Sequence, residues 1–188
     1  MSILGVQLSE HTFVDVRRLL GPTDVRDNGG DAAANATAAC YVGSDGTTVV
    51  LISSGEMGGG WLTMFQLVAR PGLANFSGDY GGGYTVPLDK RPRCSRLPKL
   101  SRRTSTPGGL RLGMTRGEVL RILGSPKSGK NGALWFHSET ELHPSPKQID
   151  RLTEQWGDGD YATVTFDRWI ITEFEQGKLV AVRAEQNN

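Results

Sequence analysis

The stretch Gly109-Leu-Arg-Leu-Gly-Met-Thr-Arg-Gly-Glu-Val-Leu-Arg-Ile-Leu-Gly-Ser-Pro126 reads as a short helix with both ends specified. Thr115 and Glu118 stand three apart, the capping-box spacing, in which each side chain satisfies a backbone N–H that the helix start leaves without a partner. Val119, Ile122 and Leu123 then recur at i, i+3 and i+4 and form one apolar face. Gly124 supplies the left-handed residue that closes a helix, and Pro126 cannot continue one.

The same pattern is written upstream. Gly5-Val-Gln-Leu-Ser-Glu-His-Thr-Phe-Val-Asp-Val-Arg-Arg-Leu-Leu-Gly-Pro22 matches it with one extra residue before the cap. Thr12 falls on Thr115, Asp15 on Glu118, Val16 on Val119 and Arg18 on Arg121. Leu19 and Leu20 fall on Ile122 and Leu123, and Gly21 on Gly124. The coincidence of cap, third helical residue, apolar face and stop points to an internal duplication. Its period of about a hundred residues is too long for a solenoid and suits two copies of a small module.

Residues Leu112–Pro126 resemble the opening GMT-x-x-x-V-x-x-x-x-G-x-P of two related groups. One is the SmpA/OmlA family, small lipoproteins of outer-membrane β-barrel assembly. The other is the tandem-repeat β-lactamase inhibitor protein family, which carries that opening twice. In the first copy here, Ser9-Glu10-His11-Thr12 stands where the glycine, methionine and threonine are expected. The resemblance implies a helical opening followed by an antiparallel sheet, a binding function without enzymatic activity, and two sheets side by side forming a concave binding face.

At 188 residues the chain has room for one large domain or two of about ninety. Its 25 glycines are nearly twice the usual ~7% and favour a sheet- and loop-rich protein. No stretch approaches ~18 consecutive apolar residues, so no membrane span is expected. The first residues lack a basic region followed by an apolar core, so no signal peptide is expected within the chain.

Taken in order, Thr23–Ala34 is small and polar and reads as a loop. Thr37–Val42 and Thr47–Ser53 read as a hairpin joined by Gly43-Ser-Asp-Gly46. Trp61–Ala69 is the most apolar strand, with large residues on both faces, so something must cover each. Residues 71–108, including the glycine-rich Gly78–Tyr84, read as a long loop and linker. After the second capped helix, Ala133–Glu139 reads as a strand. Ser145–Gly157 reads as an inserted helix capped by Ser145 and started by Pro146. Tyr161–Phe166, Trp169–Glu175 and Lys178–Ala184 complete a meander with Gln176-Gly177 in a tight turn. The expected fold class is therefore α+β. It would consist of two tandem modules, 1–88 and 109–188, each a short helical opening followed by a three- to four-stranded antiparallel sheet. Residues 89–108 would form a basic, proline-containing linker.

Charge sharpens that division. Lys90, Arg91, Arg93, Arg96, Lys99, Arg102 and Arg103 lie within fourteen residues that contain no acid, so the rest of the chain is net acidic. The simplest account is a cationic linker lying over acidic modules. Its charges, Lys90, Arg91, Arg93, Arg102 and Arg103 foremost, give an alternative function as a binder of an acidic polymer. Against nucleic acid, the run has no interleaved aromatic to stack a base, and Pro92 and Pro98 interrupt it. Cys40 and Cys94 are either two buried thiols or one disulfide. The second is preferred, because Cys94 sits in a polar basic stretch where burying a free thiol is hard to arrange.

No motif assigns a reaction, a metal or a cofactor. Gly124–Asn131 imitates a phosphate loop, but Asn131 stands where a magnesium-binding hydroxyl is required, and the run follows a helix instead of a strand. His11, His137 and His143 show no triad or metal spacing. Glu139 with Glu141, and Asp158 with Asp160, read as solvated pairs on one strand face or turn. The best binding candidates are aromatic or polarisable residues on predicted strands: Trp61, Met64, Phe65, Trp135, Tyr161 and Trp169. The expected function is a non-enzymatic protein-binding module, inhibitor-like or envelope-assembly-like. It would be extracytoplasmic, a monomer or weak dimer, and would dock another protein through its sheet face.

Overall fold

The computed structural model describes residues 1–28, 35–54, 61–76, 90–130, 132–159 and 161–187. The boundary at 88, the Gly78–Tyr84 loop, Asn131 and Asp160 lie outside the described residues. In chain order the elements are β1 (Ser2–Ile3), β2 (Val6–Gln7), α1 (Phe13–Leu20), β3 (Val25–Asp27), β4 (Ala36–Val42), β5 (Thr48–Ser54), β6 (Met64–Val68) and β7 (Ser95–Arg96). There follow α2 (Arg116–Leu123), β8 (Ser128–Lys130), β9 (Ala133–Leu142), α3 (Pro146–Trp156), β10 (Val164–Glu175) and β11 (Lys178–Asn187).

Local chemistry sets the helices. The Thr115 amide donates to Glu118 Oε2 at 2.7 Å and the Glu118 amide to Thr115 Oγ1 at 3.3 Å, the reciprocal cap of α2. In α1 the Thr12 amide donates to Asp15 Oδ2 at 3.0 Å. Ser145 and Gln148 cap α3 in the same way. The openings of α1 and α2 are also stitched to strands alike: Thr12 bridges Trp61 just ahead of β6, and Thr115 bridges Lys178 at the start of β11.

The expectation of two tandem modules with separate three- to four-stranded sheets is overturned. The chain builds one nine-stranded mixed sheet, ordered β3-β4-β5-β6-β11-β10-β9-β8 with β7 on β4, beside the two-stranded β1–β2 hairpin. The junction is β6 against β11, antiparallel from Ala181↔Val68 to Glu185↔Met64. Had the halves stayed apart, each of these strands would be an edge presenting unpaired N–H and C=O groups. All five residues of β6 are buried, so it cannot serve as a solvent edge. Pairing with β11 removes both edges at once. Arg70 and Glu175, joined by two hydrogen bonds of 2.8 and 2.6 Å, tie the segment after β6 to the end of β10.

Two further expectations change. Tyr161–Phe166 and Trp169–Glu175 are not two strands. Val164–Glu175 is continuous, because Asp167 and Arg168 pair with Glu139 and Ser138 on one side and Asn187 and Gln186 on the other. The basic stretch, expected as a linker lying over the modules, is instead built into the sheet and the core. β7 pairs in parallel with β4, and Leu97 and Leu100 enter the core. A Cβ on Gly43 would lie 2.1 Å from the Leu100 carbonyl oxygen, so the stretch packs on the β4–β5 turn where only glycine fits.

One sheet face carries the helices. Phe13, Val16 and Leu20 of α1 pack on Tyr41, Leu51, Phe65 and Leu67. Val119 of α2 packs on Leu134, Phe136, Leu179 and Val182. The outer face is sealed in the first half: Ala36, Ala38, Cys40, Val50, Ile52 and Met64 lie under Phe76, with Ala74 and Cys94 beside it. Cys40 and Cys94 form a disulfide, with Cα atoms 4.4 Å apart, that bolts the cover down. Both sets of large side chains on β6 are therefore covered, each by a different core.

Candidate functional site

The pairing of β9 with β10 decides which residues meet on the outer face of the second half. Successive side chains on a strand alternate between faces. Phe136 and Ile170 therefore point to the helix side, while Trp135, His137 and Glu139 share the outer face with Ile171, Trp169 and Asp167 opposite them. Here the face is mixed: Ile171, Arg183 and Glu185 are buried on it. Trp135, His137, Asp167 and Trp169 are half-buried, and Glu139, Glu141 and Glu173 are exposed.

Trp169 is held from several directions. Its indole Nε1–H donates to Asp167 Oδ2 at 3.1 Å. The His137 ring stacks on it with centroids 4.2 Å apart and planes 28° from parallel. The Lys127 ammonium lies 5.2 Å from its ring centroid, within cation–π range. Lys127 Nζ also stands 3.2 Å from His137 Nδ1, and His137 Nε2 bonds Asp167 Oδ1. An ammonium can only donate, so a neutral His137 keeps its proton on Nε2 and gives it to Asp167. The result is an aromatic platform whose side chains are fixed before anything binds.

His137, Glu139 and Asp167 are also the one group among the described residues whose ligand atoms lie within 4.8 Å of one another in a metal-capable set. Its imidazole is committed to Asp167 and Lys127, and Glu139 Oε1 is 4.0 Å from His137 Nε2. The contacts present account for the cluster as a hydrogen-bonded support for Trp169.

The other sequence candidates fall elsewhere. Met64 and Phe65 are 0% and 1% exposed and sit in the outer and helix-side cores respectively, so neither has surface to offer a partner. Trp61 lies where α1 and α3 approach, with Lys147 Nζ of α3 5.7 Å from its ring centroid. Tyr161 lies beyond α3, its hydroxyl donating to the Gly157 carbonyl at 2.7 Å, and so finishes that helix. Trp135 and Trp169 are the two candidates that share the outer face of the second half.

Part of the basic run spends its side-chain contacts internally, while Arg93, Arg96, Arg102 and Arg103 are exposed. Lys90 Nζ donates to the Asn28 carbonyl at 3.0 Å, Lys99 Nζ to the Leu19 carbonyl at 3.3 Å, and the Arg91 guanidinium lies 5.0 Å from the Phe76 ring. Beneath it, Arg26 and the Arg93 amide hold the Asp24 carboxyl below its ordinary pKa, and the Arg102 amide does the same for Asp45. Arg103 donates its amide to Ser101 Oγ. The phosphate-loop imitation enters β8, an edge strand on β9.

His137, Asp167 and Lys127 escaped sequence reasoning. His137 stands at i+2 from Trp135 and i−2 from Glu139, which puts all three on one face of a strand. Asp167 and Lys127 carry no comparable signal, because they reach Trp169 and His137 only through the β9–β10 register and the turn ahead of β8.

No family model, curated protein or solved structure matches the chain.

Proposed function

We propose that this chain is a protein-docking module that binds a basic surface of another protein through the outer face of its second half. The observation that carries the reading is the Trp169 platform: a partly exposed indole held by Asp167, His137 and Lys127 on a face whose rim of Glu139, Glu141 and Glu173 is exposed. A rigid aromatic anchor loses little conformational freedom on binding, which is why tryptophans dominate interface energetics. Glu139, Glu141 and Glu173 surround it with negative charge, so the complementary partner presents lysines or arginines around an apolar or aromatic anchor. The resemblance of residues 112–126 to inhibitor-like and envelope-assembly modules supports the same reading. The Cys40–Cys94 disulfide supports a home outside the reducing cytosol.

A photo-crosslinking residue placed at Glu139 should trap a partner in the native host. The same residue at Val14, 75% exposed on α1, should not. Trp169→Ala should abolish the Glu139 crosslink, and moderate salt should weaken it. Equal trapping from Val14, or a Glu139 crosslink indifferent to Trp169→Ala, would sink the reading.

A further inference from the structure

The helix-bearing face holds a second feature. A cavity of about 330 Å³ lies between the β1–β2 hairpin and α2. Its floor is Phe65, Ile170, Val182 and Ala184, and Ile122 and Leu123 form a wall. Ile122 remains 37% exposed, although its helical spacing places it on the apolar face of α2. A neighbouring cavity of about 290 Å³ shares Leu123 and Ile170 and adds Ser138 and Arg168. The two together make an apolar slot with a guanidinium toward one end.

Arg168 is half-buried. Its Nε donates to Gln186 Oε1 at 3.0 Å, and that same amide oxygen accepts from the Met1 ammonium, also at 3.0 Å. Among the described residues no carboxylate pairs with Arg168, and no hydrogen bond uses its two Nη groups. A partly desolvated guanidinium with a free fork beside an apolar slot is complementary to a planar anion attached to a hydrocarbon tail.

We propose that the joined cavities bind a linear carboxylate amphiphile of the medium-chain fatty-acid class, with its head on Arg168 and its tail across Ile170, Val182 and Ala184. At about one water-sized volume per methylene, the larger cavity accepts roughly ten carbons. The volume also falls in the range of small-ligand sites. The tail is held by burial of apolar surface, so each methylene added up to that length tightens binding about fourfold. The carboxylate sets orientation through a bidentate charge-assisted contact.

The test titrates decanoate, octanoate, decan-1-ol and decyltrimethylammonium, each below its micellar concentration, into the full chain and follows side-chain methyl NMR signals. Decanoate should shift the methyls of Ile122, Ile170 and Val182. Octanoate should bind more than tenfold weaker, as two lost methylenes require. Arg168→Gln should weaken decanoate about tenfold or more while leaving decan-1-ol unchanged. The proposal fails if decyltrimethylammonium binds as well as decanoate, a comparison that needs no variant. It also fails if the shifts fall outside the cavity, or if these methyls shift with protein concentration alone, which would make a second copy of the chain the occupant.

Discussion

The two halves of the sheet run on similar strand plans and build their outer faces from different chemistry. In the first half β5 reads Thr48-Val-Val-Leu-Ile-Ser-Ser54, with only Ser54 not fully buried, and its outer side chains Val50 and Ile52 lie under Phe76. In the second half β10 reads Val-Thr-Phe-Asp-Arg-Trp-Ile-Ile-Thr-Glu-Phe-Glu, and its burial is broken along the strand. An apolar outer row demands a cover, and the chain supplies one with residues 71–76 and the disulfide-anchored Cys94. The row Asp167, Trp169, Ile171 and Glu173 mixes the two demands, with Ile171 buried, Asp167 and Trp169 half-buried and Glu173 exposed. The docking role proposed above therefore rests on the second half, where charged side chains reach the surface beside Trp169.

Breaking the seal should produce the largest effect. The disulfide joins residues 54 apart, a loop whose closure entropy is worth about 4 kcal/mol in the unfolded chain. Cys94→Ser, or reduction of the native bond, should lower the unfolding free energy by about 3–4 kcal/mol in urea titrations. It should also raise binding of an apolar dye, because the row beneath Phe76 becomes accessible. Destabilisation without dye binding would show that the cover stays seated without its bolt, and that the contrast between the halves rests on packing alone.

A paired truncation sharpens the comparison at lower cost. Met64 and Trp169 both point to the outer face and are linked across the sheet through Glu185. Met64→Ala opens a cavity in the sealed half and should cost about 2–5 kcal/mol. Trp169→Ala removes a larger side chain from the second half and should cost about 1 kcal/mol, the range of substitutions at sites the core does not depend on. Chemical denaturation of the two variants reads both values directly. Similar losses would make Trp169 a core residue and would remove the basis for a docking role.

The same contrast explains what could be read in advance. The three helices were legible because capping is local: Thr12 with Asp15, Thr115 with Glu118 and Ser145 with Gln148 each lie within one turn. The β10–β11 turn was legible for the same reason, since Gln176 and Gly177 both take positive φ, 49° and 74°. The single sheet was not, because β6 and β11 are separated by more than a hundred residues and nothing in either strand names its neighbour. Adjacent residues cannot both face one partner from a regular strand, so Met64 and Phe65 were never compatible as anchors of one surface. That much was available from strand alternation alone. The platform needed register as well as alternation, and register is a tertiary quantity here.

The smallest expected effect separates the two caps. Burial pushes the Asp15 carboxyl up, but the Thr12 amide and the Lys147 ammonium, 3.3 Å away, together bring it below its ordinary value. The Thr115 amide and hydroxyl lower Glu118, and the charges of Lys178 and Arg111 add to the effect. A carboxylate whose pKa is lower in the folded protein than in the unfolded chain stabilises the fold above the unfolded value. That contribution disappears as pH falls through the folded one. Both caps should therefore weaken on acidification below about pH 4. Carboxyl-carbon NMR titration resolves the two. Lys147→Met should move the Asp15 midpoint upward and leave Glu118 where it is, because α3 reaches across to α1 and not to α2. An Asp15 midpoint that ignores Lys147 would mean that this bridge between α3 and α1 is not held in solution.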